Sequence, residues 1–185
     1  MSRFCVIKGT KITLDNDNTI EIEKLKAEDK LLSFSIDGVE NTQNYETLKS
    51  LWTKYFSGDF SIQLIKNIWK NTVEEYNIIN NKLSITKDHY VFVKSDDIYY
   101  WKEVKDLEIG DYLFKSDNSF ELVETIEIKK ETLNVYNLAV NSIYTYFANG
   151  YLVHNGSPCD ACSACGSTSS SSSGSGSGSG SGPPK

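Results

Sequence analysis

Hydrophobic and polar residues alternate along most of the chain in short runs, a pattern that is typical of β-strands. The alternation covers residues 6–36, where Asp15-Asn16-Asp17-Asn18 indicates a turn, and it returns after residue 75. The later segments are 76–79, 83–85, 90–94, 98–101, 112–114, 120–128, 134–140, 143–147 and 151–154. Asn149-Gly150 joins two of them and predicts a tight hairpin, because a type I′ turn requires positive φ at both central positions. We therefore predict an all-β core.

Residues 42–72 follow a different period and predict a small helical insertion. The apolar residues that recur at helical spacing are Leu48, Leu51, Trp52, Tyr55 and Phe56. Ser57-Gly58 would end this helix, and Asp59 would cap a second helix. The apolar face of that second helix would carry Ile62, Ile65, Ile68 and Trp69.

A weak internal repeat relates two charged segments of the chain. Residues 20–32 read IEIEKLKAEDKLL, and residues 101–113 read WKEVKDLEIGDYL. With an offset of 82 positions, Leu25 matches Leu107 and Asp29 matches Asp111. A duplicated β-unit with pseudo-two-fold symmetry would give this match, and chance similarity is the alternative.

Composition divides the chain near residue 155. No proline occurs before that point, whereas residues 166–185 contain 10 serines and 6 glycines, which is the composition of a flexible tether. About 150 residues remain, the usual size of one domain. The apolar runs are too short for a membrane span, and we expect no signal peptide. The net charge of −6, without a basic cluster, argues against a nucleic-acid partner.

The last residues before the composition changes carry candidate chemistry. The Asn155 carboxamide can attack its own backbone carbonyl, which closes a succinimide and breaks the bond to Gly156. The neighbouring imidazole of His154 could assist as a general acid or base. Taken alone, this dipeptide is better explained by a strand that ends in two polar residues, or by simple deamidation of Asn155 next to a glycine.

A second candidate lies at the opposite end of the predicted β-core. An activated Cys5 thiol could attack the carbonyl of Phe4 and convert the amide into a thioester. The run Thr86-Lys87-Asp88-His89 places a hydroxyl and an imidazole three positions apart, where a turn could present both to one peptide bond. The alternatives are a small buried cysteine and a partly buried histidine with a structural role.

Taken together, these segments resemble the intein/Hint family of self-splicing and self-cleaving domains over residues 5–155. The segment Cys5-Val6-Ile7-Lys8-Gly9-Thr10-Lys11-Ile12 resembles the N-terminal splicing motif, and Thr86-Lys87-Asp88-His89 resembles the T-x-x-H motif. The segments 135–140 and 146–155 resemble the C-terminal motifs in order and spacing. The loops around Asp29 and Asp111 also resemble the paired loops of the Hint fold.

The resemblance implies an all-β, horseshoe-shaped Hint fold with a pseudo-two-fold repeat and adjacent ends. Cys5 would be the first nucleophile, Thr86 and His89 would act on the Phe4–Cys5 bond, and His154 would assist cyclisation of Asn155. The chain would divide into a flank (residues 1–4), the autoprocessing domain (5–155, with the insertion at about 42–72) and a flexible C-terminal flank (156–185). No cofactor is implied, and the insertion is too short for a homing endonuclease.

The sequence departs from the family pattern at two places. Splicing passes the acyl group to a nucleophile directly after the Asn, but that residue is Gly156, and Ser157 lies one position too far. Many inteins also carry an acidic residue and a histidine where Ile143 and Tyr144 stand, and Asp88 could partly substitute. We therefore expect cleavage to be favoured over ligation.

Three further cysteines lie in the C-terminal flank, namely Cys159, Cys162 and Cys165. Their spacing suits a soft metal or an iron–sulfur cluster. A fourth thiolate is missing from this run, so a labelling or cross-linking peptide is the favoured interpretation over a metal site.

Two other function classes compete with autoprocessing. One is an inert Hint-like β-module that displays the cysteine-rich peptide, and the other is a thiol hydrolase that uses Cys5 and His89 on external substrates. We favour an autocatalytic, single-turnover domain whose partners are its own flanking segments. We expect a monomer, and a reduced Cys5 would suit the cytosol.

Overall fold

The computed structural model describes residues 4–39 and 42–155, and within them it forms fourteen strands, one α-helix and two 3₁₀ turns. The elements are β1 (Val6–Ile7), β2 (Lys11–Thr13), β3 (Thr19–Glu21), a 3₁₀ turn (Ile22–Lys24), β4 (Lys30–Ile36), α1 (Tyr45–Ser50), β5 (Trp52–Thr53), β6 (Gly58–Ile79), β7 (Leu83–Ile85), β8 (Tyr90–Ser95), β9 (Ile98–Glu103), a second 3₁₀ turn (Val104–Asp106), β10 (Tyr112–Phe114), β11 (Phe120–Leu122), β12 (Ile126–Val140), β13 (Thr145–Ala148) and β14 (Tyr151–His154). The predicted all-β class with a small helical insertion is confirmed.

Two sheets bring the first and last strands toward the middle of the molecule. One sheet has the strand order β12-β1-β7-β6-β4, and the other has the order β11-β10-β8-β14-β13-β2-β3, with β9 joining β5 to β8. The predicted hairpin forms as β13 and β14, since Asn149 and Gly150 both have positive φ, 47° and 84°. As a result β1, which follows Cys5, and β14, which precedes Asn155, are both interior strands of their sheets.

The predicted second helix of the insertion is wrong, because residues 58–79 form the single long strand β6. The first half of β6 pairs with β4, and its second half pairs with β12. Polar and apolar residues alternate from Asp59 to Leu64, which is the period of a β-strand. This segment pairs antiparallel with β4. Tertiary pairing therefore overrode the helical spacing of Ile62, Ile65 and Ile68.

The first predicted helix exists, but it is shorter and begins earlier than the pattern indicated. It spans Tyr45–Ser50, and the Asn44 side chain caps its first turn by accepting hydrogen bonds from the backbone N–H groups of Glu46 and Thr47. Trp52 and Thr53 leave the helix to pair with β9 as β5.

The internal repeat is present as two matching turns. Asp29 accepts a hydrogen bond from the backbone N–H of Lys26 at 2.8 Å, and Asp111 accepts one from Glu108 at 2.9 Å. Each turn follows a 3₁₀ turn and precedes a strand, as the offset of 82 requires. The two loops therefore have the same local fold as well as a similar sequence.

The buried residues form a mainly aliphatic cluster, a separate cluster rich in aromatic rings, and a small third cluster that contains Cys5. The aromatic cluster contains Phe4, Phe34, Tyr90, Phe92, Trp101, Phe114 and Phe147. Tyr45 and Leu48 of α1 pack on it, so the helix covers the side of the core where Phe4 lies. In the described part of the chain, no helix has the length and apolarity needed to cross a bilayer.

Candidate active site

The Thr86 side chain binds both backbone groups of Cys5. The N–H of Cys5 donates to Thr86 Oγ1 at 2.9 Å, and the same hydroxyl donates to the carbonyl oxygen of Cys5 at 3.1 Å. The backbone N–H of Thr86 donates to that carbonyl at 2.9 Å. Thr86 directly follows β7, and β7 pairs with β1, so the sheet itself delivers the hydroxyl to Cys5. The nitrogen of the Phe4–Cys5 peptide bond is thus fixed by a buried hydroxyl.

His89 is fully buried between the two ends of the domain. Burial and, to a smaller extent, the nearby His154 ring lower its pKa to about 3, against an opposing effect of the Cys5 and His154 backbones. Neither ring nitrogen has a hydrogen-bond partner within the described residues. At neutral pH this imidazole is therefore uncharged and able to accept a proton.

His154 directly contacts the last described residue. Its Nδ1 lies 2.9 Å from the carbonyl oxygen of Asn155, and since a carbonyl only accepts, Nδ1 carries the proton. Burial lowers the pKa of His154 to about 4, so the ring is neutral at pH 7. The rings that exclude water from it are Trp101 at 5.3 Å, Tyr144 at 6.3 Å and Tyr45 at 6.5 Å between centroids.

A strained loop holds the backbone of Asn155. Asn155 is fully buried, and its N–H donates to the carbonyl oxygen of Tyr144 at 2.7 Å. Both Ser142 and Tyr144 have positive φ, 52° and 61°, which is costly for residues with a side chain. The loop 141–144 is thus bent so that a carbonyl, rather than an acidic residue or a histidine, faces the end of β14.

Phe4, the residue before Cys5, is buried and strained. Only 4% of its surface is exposed, and its φ is +56°. Its ring stacks on Tyr45 with centroids 4.4 Å apart and meets His89 edge to face at 6.4 Å. The carbonyl that Cys5 is expected to attack therefore belongs to a residue whose side chain is anchored in the domain.

Two buried polar residues near Cys5 were missed by the sequence reasoning. The antiparallel register pairs Val6 with Tyr136 and Ile7 with Val135, so Cys5 lies opposite Asn137. Asn137 and Tyr146 are fully buried, and their polar side-chain atoms have no hydrogen-bond partner within the described residues. Burial and the proximity of Cys5 raise the pKa of Tyr146. The sequence signal that could have found Asn137 is its position as a polar residue inside the apolar run 135–140.

The remaining predicted site residues are scattered or lie beyond the described chain. The carboxylate of Asp88 is 3.9 Å from the Lys105 ammonium, at the mouth of a cleft lined by Thr86 and Lys87. Gly156, Ser157, Cys159, Cys162 and Cys165 lie outside the described residues, as does the predicted tether. Among the residues that are described, no group of three or more potential ligands could hold a metal ion.

Solved structures with a similar fold are intein-like domains. The chain is 24% identical to a bacterial intein-like domain from Clostridium thermocellum, covering 83% of this chain and 100% of that one, with a TM-score of 0.64. For a DnaB intein from Synechocystis the identity is 15%, the coverage 83% and 99%, and the TM-score 0.57. For the TvoVMA intein the values are 17%, 82% and 97%, and 0.62. These likenesses establish the fold.

Sequence comparison assigns the family. No curated protein sequence matches the chain significantly. The family model described as the pretoxin HINT domain matches residues 12–156, which is more than half of the chain. The match begins after Cys5 and includes Thr86, His89, His154 and Asn155. The chain therefore belongs to the pretoxin Hint-domain family.

Proposed function

We propose that this domain cuts its own chain at two peptide bonds, Phe4–Cys5 and Asn155–Gly156. Hint domains in general process their own chain. The assignment of two particular cut bonds is our proposal for this chain. The observation that carries the proposal is the position of His89, a neutral buried imidazole beside the backbones of both Cys5 and His154.

At the first bond, the Cys5 sulfur attacks the carbonyl carbon of Phe4. The thiol proton passes through the uncharged ring of His89, which relays it without holding it, because burial disfavours the protonated ring. The same proton then reaches the nitrogen of Cys5, the C–N bond breaks, and a thioester and a free α-amine result. Thr86 positions that nitrogen through its hydroxyl, and the strain at Phe4 raises the energy of the uncut amide.

At the second bond, the Asn155 carboxamide nitrogen attacks the backbone carbonyl carbon of Asn155. The Nδ1–H of His154 donates to the oxygen of this carbonyl, where negative charge develops in the transition state. The proton lost by the carboxamide goes to the nitrogen of Gly156 as the C–N bond breaks. The products are a C-terminal succinimide and a new amino terminus at Gly156.

Cleavage rather than ligation follows from the residue after Asn155. Gly156 has no side chain, so it cannot take the acyl group from the thioester. The thioester must instead react with water or an added thiol. A cleft of about 1000 Å³, lined in part by Thr86, Lys87 and Asp88, gives small molecules a route to this side of the domain.

Substitution at each end tests the assignment separately. Cys5→Ala should abolish thiol-dependent loss of residues 1–4 and leave release of residues 156–185 intact. Asn155→Ala should have the opposite effect. Intact mass spectrometry of each purified full-length chain, followed over time with dithiothreitol, distinguishes the two losses. If the parent chain stays whole, the domain is an inert Hint module. If the parent chain is cut and both variants are cut like it, Cys5 and Asn155 are not the reacting residues and the assignment is wrong.

A further inference from the structure

Three aromatic rings meet at the residue before the first cut bond. The Phe4 ring lies 4.4 Å from Tyr45 at an interplanar angle of 10°, and 6.0 Å from Tyr90 at 15°. Tyr45 and Tyr90 are themselves 5.6 Å apart and inclined by 5°. All three rings are thus nearly parallel, the offset arrangement in which aromatic pairs attract each other beyond their burial alone.

The two tyrosines come from separate parts of the fold. Tyr45 is the first residue of α1, whose start is fixed by the Asn44 cap. Tyr90 begins β8, directly after His89, and is almost fully buried. Because neither tyrosine belongs to the segment that carries the cut bond, they form a preorganised surface that the residue at position 4 must fit.

The packing of the side chain at position 4 also influences the backbone conformation next to the Phe4–Cys5 bond. A φ of +56° is unfavourable for a residue with a side chain, and the burial and stacking of the Phe4 ring offset that cost. A leucine would fill much of the volume but could not stack, and an alanine would leave a cavity. A charged side chain would lose its hydration, since the side chain at position 4 is buried between aromatic rings.

We propose that Tyr45 and Tyr90 form a specificity pocket that selects an aromatic side chain at the position before Cys5. The assignment rests on the proposed cut at Phe4–Cys5 for its role in processing. It gives the insertion a function: α1 supplies one wall of the pocket. Tyr45 also meets the His154 ring edge to face at 6.5 Å, so the pocket borders the second reaction centre.

The kinetic test uses the full-length chain with Asn155→Ala, so that only loss of residues 1–4 is measured. Phenylalanine and leucine are compared at position 4, with dithiothreitol and intact mass spectrometry. We expect phenylalanine to react about threefold to tenfold faster, because one aromatic stacking interaction keeps the strained, reactive backbone at position 4 populated to that extent. Tyr45→Leu should reduce this ratio to near one, and Tyr45→Phe should keep it.

A matched control and an equilibrium measurement separate the pocket from the chemistry. Tyr55→Leu alters an exposed tyrosine of the same insertion and should leave the ratio unchanged. In an uncleavable Cys5→Ala/Asn155→Ala chain, a double-mutant cycle of Phe4→Leu and Tyr45→Leu in urea should show coupling of about threefold or more in the unfolding constant.

The cleavage kinetics and the double-mutant cycle distinguish failure of the proposed function from failure of the pocket. If the parent chain does not cleave, the proposed function is wrong, and the equilibrium cycle alone decides whether the pocket exists. An additive cycle would overturn the pocket in either case. A preference for phenylalanine that survives Tyr45→Leu would also overturn it, because Tyr45 would then have no part in the selection.

Discussion

The Nδ1 atom of His154 lies 2.9 Å from the carbonyl oxygen of Asn155 and donates a hydrogen bond to it. This carbonyl belongs to the peptide bond that joins Asn155 to Gly156. Because burial keeps the pKa of His154 near 4, the donor at pH 7 is a neutral imidazole with a fixed tautomer. Its role in the proposed reaction is therefore to polarise the carbonyl, and no imidazolium is required at rest.

Replacement of His154 should slow the second cut selectively. His154→Ala removes the donor aimed at the developing oxyanion, and loss of one such donor typically costs about 10²–10³ in rate. His154→Gln keeps an N–H donor and should be intermediate. Release of residues 156–185, followed by intact mass, measures the effect, and loss of residues 1–4 is the internal control. Release at the parental rate in His154→Ala would contradict this role.

Replacement of Thr86 should impair the first cut and the stability of the fold together. Thr86→Val keeps the shape but leaves the buried N–H and carbonyl of Cys5 without the hydroxyl, at a cost of about 1–3 kcal/mol in unfolding free energy. Thr86→Ser retains the hydroxyl and should keep most of both properties. Urea unfolding and thiol-dependent loss of residues 1–4 report the two effects, and a Val variant equal to the parent on both would be inconsistent with the hydrogen bonds.

The two histidines should make the fold less stable in mild acid. Their pKa values are about 3 and about 4 when folded and near 6.5 when unfolded, so between these values the unfolded chain binds more protons. Stability is therefore full above pH 6.5 and falls as the pH decreases. At pH 5.5 the loss should be roughly 3 kcal/mol for the two histidines together.

Urea unfolding at pH 7.5 and 5.5 measures this loss above the range in which most carboxylates titrate. His89→Gln and His154→Gln should each halve the difference, because each leaves one titrating imidazole. A stability that does not change between the two pH values would show that the histidines are hydrated.

The two loops of the repeat share a local fold, but replacing the aspartate of each loop should cost different amounts of unfolding free energy. Asp111 is buried, and its carboxylate lies 2.8 Å from the Lys102 ammonium, which is itself only 12% exposed. Asp111→Asn leaves that cation poorly compensated and should cost about 3 kcal/mol in unfolding free energy. Asp29→Asn is the matched control at a half-buried position and should cost about 1 kcal/mol. Equal costs at both positions would refute this distinction.

A nucleophile at position 156 should convert cleavage into ligation. Gly156→Cys supplies a thiol that can accept the acyl group from the Cys5 thioester before Asn155 cyclises. The expected new product joins residues 1–4 to residues 156–185 and is identified by its mass. Gly156→Ala is the control, because it adds a side chain without a nucleophile. Ligation in the parent chain would mean that Gly156 does not block it.

The sequence predicted the strands best where the alternation was local. The segments 83–85, 112–114 and 151–154 coincide with β7, β10 and β14, and the hairpin at Asn149-Gly150 follows from turn chemistry. It failed at β6, because the strand character of residues 58–72 depends on pairing with β4 and β12, which lie far away in the chain. Helical spacing of isoleucines could not reveal those partners.

The reactive residues of the candidate site could be predicted from the sequence, but the residues that surround them could not. The chemistry of cysteine, histidine and asparagine drew attention to Cys5, His89 and Asn155 from the sequence alone. Asn137 stood out only as a polar residue inside the apolar run 135–140, because its position opposite Cys5 depends on the register of β1 and β12. The stacking of Phe4 on Tyr45 was equally hidden, since the two rings approach only when α1 folds onto the aromatic core.

The central claim is that this chain cuts itself, and the mass of the intact protein tests it most directly. Freshly purified full-length chain should be measured before and after incubation with dithiothreitol at neutral pH. The account predicts species that lack residues 1–4 or residues 156–185, with the Asn155 terminus lighter than a hydrolysed end by the mass of one water. A single unchanged full-length mass after days of incubation would contradict it.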